Sequence, residues 1–370
     1  MQRGEKRKMK FLIQNALEKA KEVKEPEVDM VGQATIKVIG VGGGGGNSIS
    51  WLYRKGIKGA EVIVCNTDKQ HLDICVGDRK ILLGKELTRG LGAGGYPQVG
   101  EEATKESLQE IRDSLKGADM VFVCCGLGGG TGTGGAHVIA RIAKEMGAIV
   151  IGTVTMPFDI ERARVDKAEF GLQQLRQVCD TVIVIDNNRL KEIAGRLPIQ
   201  QAFAVANELI STMIKGIVEI IAVPSLVNLD YADVKAIMSQ GGVSVIGVGE
   251  ADSERKVEEA TRRALTNPLL DVSYDGAIGA LIHISGGPDM TLADVTRVGE
   301  MVTQTLDPDA VCMWGARVED DLRGKMRVMT IITGVKSPWV LGKVDYASKQ
   351  KETQRLHEEL GIESVKGFKL

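Results

Sequence analysis

Residues 126–134 read Gly126-Leu127-Gly128-Gly129-Gly130-Thr131-Gly132-Thr133-Gly134. The apolar run Asp119–Cys125 before them predicts a strand, and the pattern over Gly135–Met146 after them predicts a helix. A strand that turns through glycines into a helix brings backbone amides close to an anion, at the positive end of the helix dipole. Thr131 and Thr133 add hydroxyl donors. A second passage of this kind lies upstream. Strand Thr35–Val41 runs into Gly40-Val41-Gly42-Gly43-Gly44-Gly45-Gly46-Asn47-Ser48, and helix Ser48–Lys55 follows. No Lys-Ser/Thr comes after these glycines, so a P-loop is excluded. Phosphate charge must then be met by amides and a Mg²⁺ ion. A dinucleotide fold needs only one glycine turn. Two of them at strand ends in one sheet point to a polyphosphate held from two sides.

Strands and helices alternate outward from these turns. Strands are expected over Glu61–Cys65, Ala148–Thr155 and Thr181–Asp186, and helices over Glu101–Lys116 and Arg164–Cys179. Runs such as Val182-Ile183-Val184-Ile185 suit parallel strands covered on both faces. Gln200–Ala222 reads as a long helix, apolar nearly all round and so buried between two bodies. Beyond Gly241-Gly242 a smaller α/β pattern follows. It has strands at Val243–Val248, Ile278–Ser285, Ala310–Arg317 and Arg327–Thr333, and helices at Ser253–Leu265 and Leu292–Thr305. The expected organisation is a helical extension (1–33), a nucleotide-binding domain (34–199), a central helix (200–222), a second α/β domain (223–335) and a charged tail (336–370). The basic, amphipathic leader is either a helix docked on the domain or a contact for a partner or membrane surface.

Composition narrows the classes. Across 370 residues, 47 basic and 49 acidic side chains leave a formal charge of −2, without a global drive toward nucleic acid. The six cysteines and four histidines show no metal-type spacing. No apolar run reaches the ~18 residues of a membrane span. A cytoplasmic protein is the expectation.

Gly128–Gly134, GGGTGTG, resembles the signature of the tubulin/FtsZ family in its FtsZ form. The first glycine run resembles that family too, as does a third, Gly90-Leu91-Gly92-Ala93-Gly94-Gly95-Tyr96-Pro97. The resemblance runs from about Ala34 to Thr333, and the leader looks like the extra N-terminal helix of archaeal members. It implies a Rossmann-like parallel-sheet GTPase domain, joined by a long central helix to a smaller α/β domain. It also implies GTP and GDP as ligands, with Mg²⁺ bound mainly through the nucleotide and no separate protein metal site. The implied activity is assembly-dependent hydrolysis in head-to-tail filaments at the division site. The implied partner is a membrane adaptor bound through the tail.

Site residues follow position by position from the resemblance. Gly43, Gly44, Gly45, Gly46 and Asn47 would meet the α- and β-phosphates, and Gly128, Gly129, Gly130, Thr131, Gly132 and Thr133 the phosphate tail. Ala93 and Gly94 fall in the loop that senses the γ-phosphate, and Asp68 lies near metal and phosphates. In Pro157–Glu161, Glu161 would take a ribose hydroxyl. The family's arginine position is Val165 here, which leaves Arg162 or Arg164 for that contact. Asn187, beside Asn188, and Asn207 would read guanine; Glu208 is the lesser alternative to Asn207. Phe203, four residues before Asn207, would either stack on the base or pack in the core. Asn228, Asp230 and Asp233 match the loop that enters the next subunit's pocket, with the two aspartates polarising the attacking water. On spacing alone, Asp230 and Asp233 also read as a helix cap.

Two other classes compete. An NAD(P)-dependent oxidoreductase fits Gly42–Gly45 with Asp68 downstream, but has no use for a second glycine turn and lacks an obvious proton-transfer histidine. A non-hydrolysing nucleotide-gated scaffold would not need the Asp230/Asp233 pair.

Overall fold

The structure is a computed structural model. It describes residues 34–335 apart from 224, 228, 240–242, 267–273 and 275–276. The leader, the charged tail with the adaptor contact expected there, and Asn228 lie outside the described residues.

β-branched and apolar runs form the strands. These are β1 (Ile36–Val41), β2 (Ala60–Asn66), β3 (Arg79–Leu82), β4 (Met120–Gly126), β5 (Ile149–Met156), β6 (Thr181–Asp186), β7 (Val243–Ala251), β8 (Gly279–Gly286), β9 (Val311–Val318) and β10 (Met326–Val335). They lie in one sheet, in the order β3-β2-β1-β4-β5-β6-β7-β10-β8-β9. The first six are parallel. β10 runs antiparallel to both β7 and β8, while β8 and β9 are parallel. The two halves meet where Val182 of β6 pairs with Val243 of β7.

The helices are α1 (Gly42–Lys55), α2 (Lys69–Ile74), α3 (Lys85–Thr88), α4 (Pro97–Glu106), α5 (Leu108–Leu115), α6 (Thr131–Glu145), α7 (Ala163–Val178), α8 (Asn187–Ala194), α9 (Ile199–Ala222), α10 (Tyr231–Met238), α11 (Lys256–Leu265) and α12 (Leu292–Thr303). Alternation along β4 feeds two cores, as period two requires. Phe122 and Cys124 join Ile49 and Leu52 of α1 and Ile210 and Ile214 of α9. Val121, Val123 and Cys125 join Ile139 of α6 and Leu172 of α7. A third core, with Val257, Ile284, Val298 and Val328, serves the second half.

Three expectations are corrected. The helix expected from Ser48 starts at Gly42, so the glycine run is itself helical. Glycine disfavours helix by about 1 kcal/mol per residue. Close contact with β4 overrides that cost, since a Cβ built at Gly45 would lie 2.2 Å from the Cys124 carbonyl oxygen. The helix expected over 101–116 is two helices meeting at Ser107, whose hydroxyl accepts from the Gly84 amide at 3.1 Å. β3, α2, α3 and α8 add to the expected elements; segments of four to eight residues carry little periodic signal.

Candidate functional site

Parallel pairing puts the C-terminal ends of β2, β1, β4, β5 and β6 along one edge. Strand order reverses between β1 and β4, and the two glycine turns follow these two neighbouring strands. This is the switch-point crevice where open α/β sheets bind ligands. The same edge gathers Asp68 after β2, Pro157–Glu161 after β5 and Asn187 after β6.

The two turns interlock. A Cβ at Gly42 would lie 2.9 Å from the Gly132 nitrogen, one at Gly44 3.1 Å from Gly126, and one at Gly132 2.6 Å from the Gly126 oxygen. Gly43, Gly44 and Asn47 are exposed, whereas Gly45 and Gly46 are buried against β4 and Cys75. Within the second turn, Gly129 has open space and Gly128 takes φ +94°. The Gly128 amide donates to the Thr133 hydroxyl at 2.9 Å. Thr133 is fully buried, so that bond braces the turn from behind. The Thr131 and Thr67 hydroxyls share a 2.6 Å hydrogen bond. Gly134 lets α6 cross α4, because a Cβ there would meet the Pro97 oxygen at 1.8 Å.

The third glycine run closes over this edge. Gly92 donates to the Thr67 oxygen at 3.1 Å, Lys69 to the Gly90 oxygen at 2.9 Å, and Asp68 forms a β-bridge with Leu91. Ala93 is buried against Gly130, and Gly94, at φ +60°, is exposed. Lys167 of α7 donates to the Gly95 oxygen at 2.7 Å and sits 5.6 Å from the Tyr96 ring centre. Nothing in the sequence pattern marks Lys167. Asp68 caps α2 by accepting from the His71 amide at 3.1 Å.

On the β5 side, Glu161 Oε1 accepts from the Phe158 amide at 3.0 Å and Glu161 Oε2 from Arg164 at 2.6 Å. Of the two candidate arginines, Arg164 is the one paired with this acid. Asn188 is committed to bracing. Its amide contacts both Asp159 and Asp186, joining β6 to the β5 loop. Asn187 makes no side-chain hydrogen bond among the described residues. The Phe203 ring is 42% exposed and stands edge-on to Phe158 at 6.2 Å, so it lies at the rim and not in the core. Asn207 Oδ1 accepts from the Ser48 hydroxyl at 2.9 Å, which ties α9 to the glycine helix. An amide oxygen has a second lone pair, so this bond leaves it one acceptor position. Burial alone would raise the Glu208 carboxyl, but bonds from Lys55 and Trp51 outweigh it and hold it below its ordinary value. Glu208 is therefore committed to α1.

The acids lie elsewhere. Asp230 caps α10 by accepting from the Asp233 amide at 2.8 Å, and Asp233 accepts from the Asp230 amide at 3.0 Å. The cap expected from spacing is present. Tyr231 donates to the Asp119 carbonyl at 2.8 Å. Asp119 precedes β4, whereas the glycine turn follows it. Seven residues at ~3.3 Å each put roughly 23 Å of strand between the acids and the glycines. Among the described residues, no three His, Cys, Asp or Glu side chains could hold a metal.

Comparison with known proteins identifies the family and the fold. The chain matches the family model "Tubulin/FtsZ family, GTPase domain" over residues 35–195 and "FtsZ family, C-terminal domain" over 242–336. It is 54% identical over 343 residues to "Cell division protein FtsZ 2" of Methanocaldococcus jannaschii, covering 90% of each chain. The solved "FtsZ dimer, empty (M. jannaschii)" superposes with a TM-score of 0.76 at 46% identity, covering 88% of this chain and 95% of that one. The GTPγS-bound protofilament of CetZ2 from Haloferax volcanii shares the fold, with a TM-score of 0.73 at 24% identity over 87% of this chain and 99% of that one.

Proposed function

The chain belongs to the tubulin/FtsZ family and is a cell-division GTPase, and from that premise we propose that its active site is divided between successive subunits of a head-to-tail filament. The glycine edge binds GTP, and Asp230 and Asp233 of the next subunit complete hydrolysis. The observation that carries this reading is the Tyr231–Asp119 hydrogen bond, which holds the acids at the opposite end of β4 from the glycine turns. One chain cannot bring both to one nucleotide. A heterologous contact that does not close on itself generates a filament.

In this reading the exposed amides of Gly43 and Gly44, the Gly128–Gly130 turn and Thr131 receive the phosphates. Ala93 and Gly94 face the γ-phosphate. Glu161, oriented by Arg164, holds the ribose, and Asn187 and Asn207 read guanine. Asp68 keeps one carboxylate oxygen beyond its cap bond. A single such carboxylate fits a Mg²⁺ carried mainly by the phosphates, where the ion would neutralise charge on the β- and γ-oxygens. The water attacks the γ-phosphorus in line, and GDP and phosphate leave. The acids act by position and charge, as phosphoryl transfer requires. Recruitment to the division site through a tail-bound membrane adaptor belongs to the same reading. Among the described residues no helix is long and apolar enough to cross a membrane.

The test is phosphate release per subunit across a dilution series. The specific rate is expected to climb steeply above a threshold concentration. A rate that stays flat on dilution rules out the divided site. A second measurement addresses the base. Phe203→Ala should weaken GTP binding about tenfold, the worth of one stacked base, with an unchanged unfolding midpoint because the ring is largely exposed. A lower midpoint at unchanged affinity would return Phe203 to a packing role.

A further inference from the structure

The acid loop is held by three consecutive residues of β9. Val227 and Ala316 exchange both backbone hydrogen bonds, at 3.0 and 3.1 Å. Leu229 is buried over Gly315, where a Cβ would lie 2.8 Å from its side chain. Arg317 takes the upstream end. Its Nη2 donates to the carbonyls of Glu219 at 2.7 Å and Val223 at 2.9 Å, and its Nε donates to the Ser225 hydroxyl at 3.3 Å. One guanidinium thus binds the last turn of α9 and the first residues of the acid loop together.

The chemistry of that contact is specific. The last carbonyls of a helix carry the negative end of its dipole, and a carbonyl oxygen can accept twice: that of Glu219 already takes the Val223 amide at 3.0 Å and has a second position for the guanidinium. α9 has no basic residue in its last turn. The cation comes instead from a strand residue 94 positions beyond Val223. Burial lowers the Arg317 pKa, yet guanidinium keeps its charge across the working range. Beside it a cavity of about 450 Å³ opens between α9 and the second half of the sheet, lined among others by Thr212, Gly216, His283 and Met329. Apolar packing is interrupted there, so at the α9 end the guanidinium's bonds carry the tie, as Leu229 over Gly315 does further along the loop.

We infer that Arg317 is a positioning residue for GTP hydrolysis: it fixes where the acid loop leaves α9, and so where Asp230 and Asp233 stand in the neighbour's pocket. It touches no nucleotide and acts through the loop. The inference rests on the divided-site reading.

The experiment uses the full chain with Arg317→Met, Arg317→Lys and Asp233→Asn. In assembled samples, Arg317→Met should lower the turnover number ten- to a hundredfold, the scale of a small misplacement of a reacting group. GTP affinity and the assembly threshold should stay within about twofold of the parent, because the glycine edge is untouched. Arg317→Lys keeps the charge but cannot span three acceptors, so it should recover turnover partly. Hydrogen exchange should rise in 225–230 and remain unchanged in 42–55. Parental turnover in Arg317→Met beside a silenced Asp233→Asn overturns the inference alone. Parental turnover in Asp233→Asn overturns the divided-site reading beneath it. Loss of GTP binding together with turnover in both Arg317 variants assigns the residue to folding, which also overturns the inference.

Discussion

Asp233→Asn is expected to leave GTP binding and folding intact and to slow phosphate release by roughly 10²-fold or more, the scale of losing one aligned charge at a reacting centre. The capping box makes this substitution informative. Asp233 does two things: its carboxylate accepts from the Asp230 amide, and it places a negative charge, half-buried, in the first turn of α10. Asparagine keeps an acceptor oxygen for the amide and loses the charge. Asp233→Ala loses both, and should cost about 1 kcal/mol of stability in addition. If hydrolysis tracks the charge, the two variants are equally inactive and differ only in unfolding midpoint. If the acid is purely a cap, Asp233→Asn turns over GTP at the parental rate. Location supplies a further check. Asp233→Asn has an intact nucleotide edge, and Gly43→Ala has an intact acid loop. Co-assembled, the two should show hydrolysis that neither has alone, because one subunit's acids serve the other's nucleotide. A mixture as inactive as its components would place both functions on one chain.

Much of this site is legible in the amino-acid sequence, and the physics explains which parts. The parallel half announces itself through long apolar runs that end in glycine, and a strand buried on both faces cannot hide its pattern. Asp230 and Asp233 read equally as a cap or a catalytic pair; the structure contains the cap, and only their position at the far end of β4 bears on catalysis. Asn187 and Asn188 are inseparable in sequence. They part because Asn188 bridges Asp159 and Asp186, a contact set by where the β5 loop falls. Phe203 is placed in the same way, since helical period cannot say that one side of α9 reaches the rim. Ser48 with Asn207, Lys167 with Gly95, and Arg317 with Val223 are bonds across 72 to 159 residues of chain. No local spacing encodes them.

The glycine run that opens α1 shows how far composition can mislead, and it yields the other large effect. Gly43 to Gly46 read as one phosphate cradle, but the structure divides them. Gly43 is exposed, and a Cβ there would come no nearer than 3.8 Å to another atom, the Nε2 of His71. Its φ is not positive, so alanine fits the backbone. Alanine also favours helix over glycine by about 1 kcal/mol. Gly43→Ala should therefore unfold at a slightly higher temperature than the parent, yet bind GTP about 10²-fold more weakly, because the methyl occupies the space a phosphate oxygen needs. Gly45 is the opposite case. Its Cβ would sit 2.2 Å from the Cys124 carbonyl oxygen and 3.0 Å from that carbonyl carbon. Both are backbone of the central strand β4 and have nowhere to move. Gly45→Ala should cost at least ~3 kcal/mol, at the upper end of overpacking, and lower the unfolding midpoint sharply. Thermal unfolding with and without GTP reads both effects at once. Equal destabilisation by the two substitutions would mean that the run is only a packing device. Equal loss of GTP affinity at unchanged stability would mean that both glycines face the ligand. Opposite signs two residues apart would show that one helical turn both seats the nucleotide and locks α1 onto β4.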